Sequence, residues 1–421
     1  MVSKLNKILL IVAATVLVSA LVVCVVLLVM QYGEDGLHDD GLGCEIDPFE
    51  VDLHPLILHS GTTKFLYPTW PEKTLKFTAN QPVDFVCPGR ELLLGSSRTN
   101  RSLLTGKCIN GTRFVIDNDE QVMDWNMLEC ITAPFRTLRA TNQSCSSDGR
   151  ELEVGFLLPD ARFVRSLLIC FKWELQIPYW TYIEQTASIN QRVLGTPRPS
   201  WLQGSGVYTI GSVTNIYLRR NQRATINNLL GLNETSTKYI QDNSNYYLAR
   251  GHLTARSDNF YAAQQNATFF MQNIAPQWQT FNGFNWNQVE IDVRDYAANH
   301  GVDLQVWTGV HGVTTLPHEK TGEPVELYLF VNSTLKALPV PEIFYKIAYN
   351  PLTERGVALI GVNNPYNGTY SPICYDVSSQ IKWLNCDKTS QRMGFCYACS
   401  ITTLRYVVIS LPDISDRGLL L

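Results

Sequence analysis

Apolar residues fill Ile8–Met30 without a single charge, after Lys4 and Lys7 and ahead of Glu34, Asp35, Asp39 and Asp40. A run of this length with no polar face predicts a bilayer-spanning helix or a long secretory signal, not a surface helix. Positive charge before it and acid after it direct the rest of the chain into the lumen or outside. Signal anchor and cleaved leader both remain open, and the acidic, glycine-containing stretch 31–43 reads as a flexible linker. From 44 to 160 the pattern changes to short β-type runs such as Thr74–Thr78, Val83–Cys87 and Arg113–Ile116, broken by Gly, Asn and Pro. They predict a small β-rich module.

From 161 to 421 the runs lengthen. Leu167–Glu174, Tyr179–Ile183, Val207–Leu218, Leu304–Trp307, Leu327–Val331, Ile343–Ala348, Val357–Gly361 and Tyr406–Leu411 have strand character. Asn259–Gln272 and Gln288–Asn299 carry apolar residues every three or four positions and predict helices. Gly195–Gly206, rich in Pro, Ser and Gly, reads as a loop. The expected fold class is α+β with a mainly antiparallel sheet.

Composition adds compartment more than function. The 421 residues are 45% hydrophobic and 17% charged, with a formal net charge of -4, so a polyanionic partner would need a local basic patch or a metal ion. Of eleven cysteines, Cys24 lies in the apolar run and ten follow it: Cys44, Cys87, Cys108, Cys130, Cys145, Cys170, Cys374, Cys386, Cys396 and Cys399. An even number suits an oxidised, disulfide-bonded chain. Cys396-Tyr-Ala-Cys399 lacks the second pair of a zinc site and reads as structural disulfides. Sequons at Asn100, Asn110, Asn142, Asn233, Asn266, Asn332 and Asn367 point the same way, to an N-glycosylated, secreted or anchored protein.

The chemistry concentrates between Ile216 and Tyr296. IYLRRNQR and LARGHLTARSDNF place Arg219, Arg220, Arg223, Lys238, Arg250 and Arg256 against few acids, a positive field within an acidic chain. Arg250-Gly251-His252 ends a short aromatic strand. Histidine is suited to accept a proton from water near neutral pH, and an arginine two positions away shares its side of the strand. Asn282, Trp286 and Glu290 recur every fourth residue and on a helix would share one face. Asn offers a neutral oxygen to a hard cation, and Glu can orient waters around it.

Taken together, ARGHLTARSDNF, then QNIAPQ, then FNGFNWNQVE closely resemble the DNA/RNA non-specific endonucleases of the ββα-metal class, in their secreted, cysteine-containing animal branch. The family order is Asp-Arg-Gly-His, Asn-x-x-Pro-Gln, then an Asn, a Trp and a Glu on the metal-binding helix. The resemblance implies a ββα nuclease domain over 161–421 that hydrolyses phosphodiester bonds of DNA and RNA. In it His252 would be the general base, Asn282 the ligand of Mg2+ (with Mn2+ a substitute), and Glu290 a holder of metal-bound water. Arg250 would stabilise the extra phosphate charge, and Asn273 would shape the site and contact the base or phosphate. A further arginine would fall on Arg220, with Arg219 and Arg223 as competitors. Ala249 stands where the family has its leading Asp. That departure motivates a second reading, a nuclease-like glycoprotein that binds nucleic acid or another partner without cutting.

Overall fold

The computed structural model describes residues 43–116, 121–146 and 148–421. The apolar run Ile8–Met30, with its predicted helix, lies outside the described residues. Among them, no helix is long and apolar enough to cross a membrane.

The front of the chain forms an antiparallel sheet of β1 Leu56–His59, β2 Pro82–Val86, β3 Leu103–Asn110, β4 Arg113–Ile116 and β5 Val122–Asp124, paired in that order. Phe85 packs edge-on against Phe114 at 5.4 Å and tilts against Trp125 at 5.5 Å. Cys44–Cys108 and Cys87–Cys130 staple this small core, which has few residues to bury.

A larger sheet follows. It begins with β6 Thr137–Ser144, β7 Gly149–Leu157, β8 Phe163–Lys172 and β9 Ile177–Gln185. The chain then leaves the sheet for α1 Arg219–Leu229, β10 Leu248–His252, α2 Ala262–Ala267, β11 Ile274–Trp278 and α3 Asn287–His300. It returns as β12 Leu304–His311, β13 Ile343–Asn350, β14 Arg355–Val362 and β15 Cys396–Cys399. The eight strands pair antiparallel in chain order, β6-β7-β8-β9-β12-β13-β14-β15, so the long excursion inserts between neighbours β9 and β12. Both faces are covered. Along β13, Phe344 and Ala348 join one core while Ile343, Tyr345, Ile347 and Tyr349 join the other. A strand buried on both sides reads as a continuous apolar run, and this explains why Ile343–Ala348 was legible as a strand without alternation.

The α+β expectation with antiparallel pairing holds, and three local expectations are corrected. Val207–Leu218 is not a strand: Ser212 accepts from the Asn215 amide and starts the helical turn Val213–Ile216. Tyr406–Leu411 is not a strand either. It follows the short helix Ile401–Arg405, and its β-branched residues are spent differently: Val408 is buried while Ile409 is 87% exposed. Within Asn259–Gln272 only Ala262–Ala267 is α-helical, and the end of the stretch enters the 3-10 turn Met271–Asn273. Strand pairing also shows that β6 and β7, inside the 44–160 segment, belong to the large sheet. Cys145 on that side is bonded to Cys170 of β8. The remaining cysteines pair as Cys374–Cys399 and Cys386–Cys396, so the two thiols of Cys396-Tyr-Ala-Cys399 go to different partners.

Candidate active site

Strands β10 and β11 form an antiparallel pair with Arg250 opposite Pro276, Gly251 opposite Ala275 and His252 opposite Ile274. A helical segment follows at once: one turn at Gln279–Phe281, a π-helical turn at Asn282–Trp286, then α3. Two strands and a helix thus carry the whole predicted motif.

Polar side chains lock this unit in place. Asn363, after β14, accepts from the Trp278 amide at 2.8 Å and donates to the Pro276 and Pro341 carbonyls. Gln222 of α1 holds both the amide and the carbonyl of Leu248. Phe281 and Trp286 settle on Gly361 of β14, where an added Cβ would lie 2.4 Å from the Phe281 ring. Gly251 answers a similar need. A Cβ there would stand 2.3 Å from Oε1 of Gln277, so the glycine of Arg-Gly-His exists to admit the glutamine of Asn-x-x-Pro-Gln. Asn273 is fully buried, and its amide is committed: Oδ1 accepts from the Thr254 amide, and Nδ2 donates to the Thr254 and Thr268 carbonyls. It clamps the chain just after His252, which suits shaping the site and leaves no free atom for contact with a base or phosphate.

His252 sits in a cluster of three rings. Trp201 is 4.8 Å from it, Phe269 is 5.1 Å from it, and those two are 4.9 Å apart. Its Nε2 is buried and has no hydrogen-bond partner among the described residues; Nδ1 is not so enclosed. Burial, with the positive charges of Arg198 and Arg256, pushes His252 down to about 3. Arg250 lies on the same strand side, 5.8 Å from the Trp201 ring and 5.7 Å from that of Tyr217, and donates to the Thr214 carbonyl. No carboxylate pairs with Arg250 among the described residues, and burial lowers its pKa.

Behind His252 lies a buried ionic network. Asp258 bonds Arg294 of α3 at 2.7 Å and Lys346 of β13 at 2.9 Å, and Lys346 also donates to Thr308 of β12. Burial disfavours a charge on Asp258, yet the Lys346 and Arg294 cations hold it below the usual carboxylate range. Asp258 is in electrostatic reach of both His252 and Glu290. Glu290 forms no hydrogen bond or ion pair among the described residues; burial and then the Asp258 carboxylate push it up to about 7, against the pull of Lys346 and Arg294.

Asn282 is half-buried; its Nδ2 donates to Gln279 Oε1, and its Oδ1 accepts no bond. Trp286 is a core residue, wholly buried against Phe281 and Phe344. The π turn therefore separates the roles of the three spaced residues: Trp286 anchors, while Asn282 and Glu290 keep unspent oxygens. The Asn282 oxygen is of the kind a hard divalent cation takes while it retains most of its waters. No cluster of three or more His, Cys, Asp or Glu suited to a metal occurs among the described residues, so a softer, multi-ligand site is not offered. Of the competing arginines, Arg219 is bonded to the Gln241 carbonyl and lies over Tyr247, and Arg223 pairs with Asp242. Arg220 is exposed and makes neither bond nor ion pair among the described residues. The arginines whose charge acts on His252 are Arg198, in the Gly195–Gly206 loop, and Arg256.

Sequence reasoning missed Arg198, Trp201, Asp258 and Lys346, which carry no regular spacing relative to the motif. Arg294 was within reach of it, standing four residues after Glu290 on the same helix.

A strand pair followed by a helix, packed on an antiparallel sheet, is the fold element of the ββα nuclease class. The chain belongs to the DNA/RNA non-specific endonuclease family, whose model matches residues 148–403. It is 31% identical over 241 residues to the salivary endonuclease of Lutzomyia longipalpis, a match covering 57% of this chain and 56% of that relative. Salivary protein Tsal1 of Glossina morsitans morsitans is 24% identical over 361 residues, covering 83% of this chain and 88% of the relative. A solved chain from the EndoG/EndoGI complex matches with 16% identity and a TM-score of 0.37 over 60% of this chain and 87% of its own.

Proposed function

We propose that this protein is a secreted, magnesium-dependent endonuclease that hydrolyses phosphodiester bonds of DNA and RNA. The observation that carries the reading is the His252 ring packed between Trp201 and Phe269, with Arg250 on the same strand and no acid partner for that arginine among the described residues. His252 accepts a proton at Nδ1 from the attacking water, which requires the ring hydrogen on the enclosed Nε2. Arg250 faces the phosphate beside it, and Arg198, exposed at the mouth, supplies a second cation for the charge that develops there. Asn282 Oδ1 would hold the ion, Mg2+ or in its place Mn2+, and the Glu290 carboxylate would hold its waters. When bound, it neutralises phosphate charge and polarises the scissile bond. Asn273 holds the turn after His252, and Arg220 is left for backbone contacts further along the strand. None of these groups reads a base edge or a 2′-hydroxyl, so both sugars are accepted and binding is salt-sensitive.

The five disulfides and the salivary relatives support secretion, with the segment 1–43 as signal peptide or signal anchor plus linker. We place the start of the nuclease fold at β6, close to Thr137, and assign 44–136 to the front module. Purified from a secretory host, the protein should degrade plasmid and RNA with Mg2+ and stop on chelation. His252→Ala and Asn282→Ala should each lose about 10²-fold or more in kcat. Metal-dependent cleavage that persists in His252→Ala would sink the base assignment. Nucleic-acid binding without cleavage by the parent protein would establish the non-catalytic reading.

A further inference from the structure

The family acid that would precede Arg250 is Ala249 here, and no carboxylate or carbonyl bonds the ring of His252 among the described residues. An imidazole that must present one nitrogen to water ordinarily needs a hydrogen bond on the other to fix its tautomer and its rotation. Something else holds this one. Trp201 lies over the ring at 37° between planes, Phe269 meets it at 78°, and the two aromatic residues brace each other. Neither is free to drift. The Leu202 amide donates to the Phe269 carbonyl at 2.9 Å and the Met271 amide to the Leu202 carbonyl at 2.8 Å, lacing the Trp201 loop to the segment that carries Phe269. Gln272 adds a bond to the Gln203 carbonyl, and Arg136 one to the Ser200 carbonyl.

We propose that Trp201 and Phe269 are positioning residues that hold His252 by its ring faces, in place of a hydrogen-bonded carboxylate. Nε2 is buried beside these packed rings, and Nδ1 is the working nitrogen. Aromatic packing fixes ring rotation as a hydrogen bond would, since off-centre and edge-on contacts of polar rings are directional. It also withholds water from Nε2, and Nδ1 can accept the water's proton only in the tautomer with the ring hydrogen on Nε2. A base held this way has no carboxylate partner to raise its basicity. The charged groups in reach of it are Arg198, Arg256 and Asp258.

This inference rests on His252 being the base, and the experiment separates the two. Trp201→Leu, Trp201→Phe and Phe269→Leu are made in the full chain and compared with His252→Ala for kcat and KM on plasmid, for the pH dependence of kcat/KM, and for thermal melting. Trp201→Leu should lose on the order of 10²-fold in kcat, the scale of a misplaced catalytic group, with KM within about threefold. Trp201→Phe should recover most of that loss, and the acid limb of Trp201→Leu should move up toward the ordinary histidine range as water reaches the ring. Parent-like kcat in both leucine variants overturns the proposal while His252→Ala remains inactive. A loss confined to KM also overturns it, making Trp201 a substrate-stacking surface. Should Trp201→Leu melt early, Phe269→Leu and the phenylalanine rescue decide the matter. Full activity in His252→Ala overturns the base assignment itself.

Discussion

At pH 7 His252 is uncharged because burial and the fields of Arg198 and Arg256 both oppose its protonation. The sign of the resulting pH dependence follows. In the unfolded chain the ring takes a proton near its ordinary value, about 6.5, whereas in the folded protein it waits until about 3. Between those values the unfolded state binds more protons, so stability falls as pH falls through that window. In the metal-free protein the ring resonances of His252, identified by their loss in His252→Gln, should stay fixed from pH 8 to 5. A midpoint near 6.5 would refute the enclosure of the ring. Gly251 gives a second test. Gly251→Ala forces a methyl onto Gln277, whose Oε1 and Nε2 are already buried without partners, and overpacking of this kind costs about 1–3 kcal/mol by denaturant titration. Unchanged stability would mean that Gln277 has somewhere else to go.

The strand-strand-helix element was largely legible in advance, and the limits of that legibility are physical. Arg250, His252, Asn282 and Glu290 stand where short-range order in the chain put them, on a hairpin and the helix that follows it. Equal spacing of Asn282, Trp286 and Glu290 implied one shared helix face. The π turn at Asn282–Trp286 breaks that face, because Phe281 and Trp286 must both seat on Gly361, eighty residues or so away in sequence. No local pattern encodes such a demand. The same holds for Asp258: an ordinary Ser-Asp-Asn triplet in sequence, it ties α3 to β13 through Arg294 and Lys346, all three nearly inaccessible. Removing its charge leaves two buried cations facing each other. Asp258→Ala should therefore destabilise the protein by about 3–5 kcal/mol, the scale for breaking one side of a buried ion pair. A loss below about 1 kcal/mol in urea titration would show that water reaches the cluster.

At the scale of the whole molecule, the front module is a brace for α3. The strap Phe65–Trp70 crosses the back of the site: Tyr67 accepts from Gln264, the Pro68 carbonyl accepts from Ser188, and the Leu66 carbonyl accepts from Tyr261. Trp70 lies on Gly301, the left-handed residue that ends α3, and its Nε1 donates to the Ala298 carbonyl at 2.6 Å, satisfying one of the helix's terminal acceptors. Phe260 and Tyr261, one turn after Asp258, are wholly buried largely because Phe49, Phe65 and Tyr67 cover them. A chain starting at Thr137 would keep every strand of the large sheet and every proposed catalytic group, yet bare those two rings, at roughly 1.5–3 kcal/mol for each large apolar side chain exposed. It should be secreted poorly, melt well below the full chain and cut slowly, because α3 loses the support at its end. Trp70→Phe, which deletes only the indole N–H, should cost about 1 kcal/mol and leave kcat nearly intact. If the shortened chain instead melts and cuts like the full one, the strap is a passenger, and the front module is free to serve a partner of its own.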